Sequence, residues 1–117
     1  MANFKDYDEL TRAVDKNGAV LTCEMWQLRV AHKAGKLGVH VVANISDELD
    51  KRGFGHYPAP LPQNQYEKAR IYRRSGAIGS LIKAVLSVDK DADEVLKSIG
   101  TDDAAETIKK IRELVCD

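Results

Sequence analysis

One tryptophan, four tyrosines, two phenylalanines, three prolines and two cysteines are the scarce residues of this 117-residue chain. Neither charge predominates: eighteen Lys and Arg stand against eighteen Asp and Glu. That balance argues against a uniformly basic nucleic-acid coat and against a disordered acidic tail. Cys23 and Cys116 are too far apart for zinc-ligand spacing. A disulfide between them stays open, but reduced thiols are the simpler expectation, with Cys23 half-buried on a helix. No apolar run approaches the roughly 18–20 residues that cross a bilayer. The stretch from Met1 to Glu9 is acidic and polar, without the basic-then-apolar order of a secretory signal. Together these point to a cytoplasmic protein with no membrane partner. The 44% hydrophobic content is ordinary for a folded chain, and the length suits one domain of about 100–150 residues.

Helical periodicity is what the chain has in quantity. Phe4, Tyr7, Leu10 and Val14 recur at three- and four-residue steps, predicting a helix over about 5–15 that ends at Asn17-Gly18. Ala19-Val20-Leu21 suits a short strand. Thr22 is placed to cap a second helix carrying Trp26, Leu28 and Val30, which stops near Gly35. A third helix from Leu37 to Lys51 has one apolar stripe, Leu37, Val41, Val42, Ile45 and Leu49. His40, Asn44, Asp47 and Lys51 fall on its opposite face. Phe54 to Tyr57 reads as a second short strand, and Pro58-Ala59-Pro60-Leu61-Pro62 must be extended.

Beyond the prolines the pattern again reads as helical. Helices are expected from Asn64 to Arg74, then along Ile78, Leu81, Ile82, Val85 and Leu86. Asp91 to Glu94 has capping-box spacing ahead of Val95, Leu96 and Ile99. Thr101 is placed to cap a last helix that carries Ile108, Ile111, Leu114 and Val115. The expected fold is a single, mainly α domain. Residues 1–58 form a first half, 59–63 a proline-rich hinge, and 64–117 a bundle of short helices packed with the first half.

Over residues 7–58 the order helix, short strand, two helices, short strand resembles a winged helix-turn-helix domain. The residues carrying the resemblance are Gly18 to Thr22, the turn Gly35-Lys36-Leu37-Gly38, and Ile45, Leu49, Gly53 and Phe54 before the second strand. It covers under half the chain. The resemblance implies that the helix from Leu37 to Lys51 enters the DNA major groove. Asp47, Glu48 and Asp50 depart from that pattern, since acids near phosphates are repelled. The wing is expected to be truncated or replaced by the proline segment.

Zero net charge conceals segregation. Residues 61–87 hold Lys68, Arg70, Arg73, Arg74 and Lys83 against Glu67 alone, whereas residues 88–117 hold nine acids against five bases. Lys68, Arg70, Arg73 and Arg74, interleaved with Tyr66 and Tyr72, are the expected nucleic-acid contacts, because arginine donates paired hydrogen bonds to phosphate. Arg29, Lys33 and Lys36 would extend the patch. The competing expectation pairs this basic stretch with the acidic carboxy-terminal helices, within one chain or across a dimer.

Catalytic chemistry is the weaker expectation. His32, His40 and His56 never fall four apart on one helix, and no cofactor or metal is expected. The glycine pairs Gly35/Gly38 and Gly76/Gly79 lack the strand-loop-helix setting of a phosphate loop. His56 reads as a turn residue bonded to neighbouring backbone, and Trp26 as core. A small, non-enzymatic nucleic-acid-binding regulator, most simply for DNA, is the leading expectation. Its rival is an interaction or homodimerisation module, such as an adaptor, inhibitor or antitoxin-like factor, with an acidic protein or a second copy as partner. His56, Tyr57, Tyr66, Tyr72, Leu114 and Val115 are its candidate interface residues.

Overall fold

Asp6 opens the first helix, its carboxylate accepting the Glu9 N–H at 2.8 Å. The computed structural model describes residues 3–99 and 109. Helix α1 (Tyr7–Lys16) runs to Asn17, and Gly18 turns the chain at φ +77°, a region that favours glycine. Strand β1 (Val20–Glu24) follows, then helices α2 (Met25–Ala31) and α3 (Val39–Lys51), and strand β2 (Phe54–Tyr57). Strand β3 (Lys68–Arg73) leads to helices α4 (Ala77–Leu86) and α5 (Lys90–Ile99). Five helices and a small three-stranded antiparallel sheet of order β1-β3-β2 thus make up the described residues.

The chain divides into two compact units, Met1–Gly79 and Ser80–Asp117. In the first, α1, α2 and α3 cover one face of the sheet. Leu10, Val14, Met25, Leu28, Ile45, Leu49, Phe54 and Ile71 form its fully buried centre. The expected α3 stripe is present: Val42, Ile45 and Leu49 are buried, with Leu37 and Val41 packed against them. In the second unit, Ala84 of α4 and Ala92 of α5 are buried, while Val85, Leu86, Val88 and Val95 are exposed.

Several elements differ from expectation. The helix expected from Asn64 to Arg74 is instead extended, and β3 is the central strand of the sheet. Its Ala69 and Ile71 alternate inward between exposed Lys68 and Arg70, the two-residue period of a strand. Thr22 does not cap α2; it lies exposed within β1, opposite Arg70. Glu24 precedes α2 instead, its N–H donating to Gln27 Oε1 at 3.0 Å. Cys23 therefore sits on a strand and is fully buried. β2 and β3 pair as an antiparallel hairpin joined by residues 58–67. The proline run lies inside that connection, anchored to the core by Leu61. Helix α5 opens at Lys90, with the Asp89 carboxylate accepting the Ala92 N–H at 2.7 Å, so the capping acid precedes Asp91. The helix expected after Thr101, with Leu114 and Val115, lies outside the described residues.

Register fixes which side chains share the sheet face turned away from the core. Tyr72 lies between Val20 and Gly55, Arg70 between Thr22 and Tyr57, and Lys68 beside Glu24. A Cβ on Gly55 would collide with the Tyr72 ring, so glycine lets that ring lie flat on the sheet.

Candidate nucleic-acid interface

The seven basic residues singled out in the sequence separate into two groups. Arg73 is committed to the fold: its Nε and NH2 donate to the two carboxylate oxygens of Asp15, both at 2.8 Å. Its guanidinium also lies 4.7 Å from the centre of the Phe54 ring. The hydrogen bonds, with the opposite charge beside them, hold the Asp15 carboxyl below its usual range and raise Arg73 in turn. Arg74 donates to the Asp50 carboxylate and, at 2.7 Å, to the Asp50 carbonyl. Arg29 donates to Gln65 Oε1 at 3.2 Å and to the Ala34 carbonyl at 3.0 Å. These three arginines join elements distant in sequence.

The second group is free. The side chains of Lys33, Lys36, Lys68 and Arg70 are exposed and make no hydrogen bond or ion pair among the described residues. They do not form one patch. Lys33 and Lys36 lie in the turn between α2 and α3, whereas Lys68 and Arg70 stand on the outer face of the sheet. The expected basic helix from 64 to 74 is thus resolved into a strand that presents Lys68 and Arg70 outward and turns Arg73 toward the core side.

Helix α3 carries its own asymmetry. Val39, His40, Ala43 and Asn44 are exposed in its amino-terminal half, which holds no acid. The acids sit in the second half and are largely matched: Asp50 by Arg74, and Glu48 by Lys51 at 3.7 Å and Arg52 at 3.9 Å. Asp47 alone of the three is unpaired among the described residues. The acids counted against groove entry therefore lie away from the end that would lead.

Among the remaining candidates, His56 lies within strand β2 opposite Ile71 and not in a turn, although its ring does meet neighbouring backbone. Its Nδ1 is 2.9 Å from the Pro58 carbonyl and its Nε2 is 2.8 Å from Ser46 Oγ, linking the hairpin to α3. Tyr57 and Tyr66 are exposed, at 59% and 76%, while Tyr72 is buried. Tyr66 precedes β3 and Tyr72 lies within it, so neither is on the helix expected there. Trp26 is half-buried.

One further cluster leaves no signal in the sequence, because its members are scattered along the chain. Tyr7 Oη lies 2.7 Å from His32 Nδ1, and the Arg52 guanidinium sits 5.0 Å over the Tyr7 ring. Burial, with Glu48 nearby, raises the Tyr7 hydroxyl well above the usual phenol range, so it stays protonated in its hydrogen bond with His32. An open cleft of about 450 Å³ lies beside them, lined by Asp8, Lys33, Glu48 and Arg52 as well. Its charges largely cancel, Arg52 reaching Asp8 at 3.2 Å. No group of three or more His, Cys, Asp or Glu suited to a metal ion occurs among the described residues. Burial pushes the Cys23 thiol up to about 12, which leaves it unreactive near neutrality. No helix among the described residues is long and apolar enough to cross a membrane.

Compared with family models, with curated proteins and with solved structures, the chain finds no match in any of the three.

Proposed function

We propose that this protein is a DNA-binding regulator of the winged-helix type, with α3 as the element that enters the major groove. The observation that carries the reading is topological. The element order α1-β1-α2-α3-β2-β3, with sheet order β1-β3-β2, sets two helices joined by a turn beside a β2–β3 hairpin. That is the arrangement a winged helix requires. The surface of α3 agrees with it. Helix-turn-helix proteins present the amino-terminal part of the second helix to base edges. Here that part exposes His40 and Asn44, and an asparagine amide can bond adenine through two hydrogen bonds. Lys33 and Lys36 flank it as phosphate ligands, while Arg74, Arg52 and Lys51 screen the acids behind it.

The test is duplex binding followed across salt concentration. Wild-type protein binds duplex DNA at low salt, and Lys33→Ala/Lys36→Ala lowers the log–log salt slope by about 0.9 for each phosphate that is no longer neutralised. A chain that binds no duplex at low salt would end the proposal.

A homodimerisation module is a second reading, favoured by the exposed apolar side chains of the second unit, Val85, Leu86, Val88 and Val95. Apolar side chains left exposed on a helical unit are what a partner surface would cover. The two readings are compatible, since many groove-binding proteins act as pairs.

A further inference from the structure

The sheet face turned away from the core is unlike the rest of the first unit. Tyr57 and Arg70 are direct register partners on neighbouring antiparallel strands, and Thr22 is the partner of Arg70 on its other side. Side chains directly opposite one another in such a ladder project to the same face, with Cβ atoms about 4.5–5.5 Å apart. Tyr57, Arg70 and Thr22 therefore form one exposed row of ring, guanidinium and hydroxyl across all three strands. None of the three side chains has a hydrogen bond or ion pair among the described residues. A second exposed ring, Tyr66, lies two residues ahead of Lys68 at the start of β3. Tyr57 and Tyr66 are the large aromatic side chains left open among the described residues.

An exposed ring forgoes the burial that aromatic side chains usually gain. Beside an unpaired arginine, its chemistry is specific. The ring offers a π face to a flat partner, and the guanidinium offers a paired donor to a phosphate. A duplex hides its base faces in the stack, so it cannot use the ring. A single strand exposes both its bases and its backbone, and proteins that bind it combine aromatic platforms with a basic track. Lys68 faces Glu24 across the β1–β3 ladder, so the local positive charge lies along the Arg70 row and not at the strand's start.

We infer that the outer face of the sheet is a single-stranded DNA site, with a base stacked on Tyr57 and the adjoining phosphate held by Arg70. The choice of DNA as the polyanion rests on the winged-helix reading above. The site is separate from α3, on the opposite face of the sheet. It would hold a strand freed from the duplex while α3 holds the duplex.

Fluorescence anisotropy decides it, with a labelled thymidine oligomer of about 12 nucleotides, a uridine oligomer of that length and a matching duplex. Tyr57→Ala, Tyr57→Phe and Arg70→Ala are compared with wild type, and circular dichroism verifies that each is folded. The expected result is thymidine-oligomer binding weakened about tenfold by Tyr57→Ala, largely kept by Tyr57→Phe, and weakened with a shallower salt slope by Arg70→Ala. Duplex affinity stays unchanged in both Tyr57 variants. Duplex binding without single-strand binding, single-strand binding indifferent to Tyr57→Ala, or tighter binding of the uridine oligomer overturns this site and leaves the α3 reading intact. Tyr57-dependent single-strand binding without duplex binding overturns the α3 reading and leaves the site. Absence of both overturns both.

Discussion

Arg73 and Arg70 sit three positions apart on the same strand, yet one is a joint of the fold and the other is free. Nothing in residue type separates them. The difference is direction: Arg73 pairs with Phe54 in register and turns toward Asp15, whereas Arg70 pairs with Tyr57 and turns outward. Asp15 supplies a test of that joint. Its carboxyl titrates below its unfolded value because Arg73 favours the ionised form. Such a group contributes stability above the unfolded carboxylate pKa of about 3.9, and that stability is lost as the pH falls through the lower folded value. Asp15→Asn should therefore lower the melting temperature at neutral pH, with the gap to wild type closing in acid. Asp15 is solvent-exposed, so added salt should narrow the gap too. Thermal melts over a pH series read both effects, and a gap that persists in strong acid would refute the assignment.

At the scale of elements, the helices were legible and the central strand was not. The α3 stripe is a three- and four-residue repeat that survives in the fold as Val42, Ile45 and Leu49, because a helix faces its core locally. Residues 68–73 carry buried side chains at 69, 71 and 72, a spacing that fits neither strict alternation nor a clear helical stripe. The exception is Tyr72, buried on the outer face over Gly55, and that packing exists only once β2 lies alongside. Gly55→Ala would drive a methyl group into the ring. Overpacking of this kind costs about 1–3 kcal/mol. Chemical denaturation should show the loss, and a Tyr72→Ala background should relieve much of it, since neighbours that share a collision are not additive. Equal losses in both backgrounds would mean that the ring is not what glycine accommodates.

For the whole molecule, the ion pairs of the described residues do not follow the division of charge along the sequence. The basic stretch after the prolines finds its acids in α1 and α3, at Asp15 and Asp50. The expected pairing with the acidic carboxy-terminal helices is not what occupies Arg73 and Arg74. The exposed valines and Leu86 of the second unit bear on the proposed dimer instead. If a second copy covers them, size-exclusion with light scattering should give a dimer mass for wild type. Val85→Glu/Leu86→Glu should then give a monomer with unchanged circular dichroism. A wild-type monomer at high protein concentration would remove the dimer reading while leaving the DNA reading as it stands.

Local rules read from the chain were enough to locate α1, α3 and β2, and to mark the turn at Gly18, because caps, glycine turns and apolar repeats act within a few residues. They also marked Lys68 and Arg70 as basic side chains worth following. Tertiary structure alone decided that residues 68–73 form the middle strand and which cations remain unpaired. The reason is range: Arg73 meets Asp15 across 58 positions and Arg29 meets Gln65 across 36. A strand's ladder and an ion pair are both completed by partners that local sequence does not name. The few aromatic residues show the same division. Scarcity excluded little, but the sheet put Tyr72 under cover and left Tyr57 open beside Arg70.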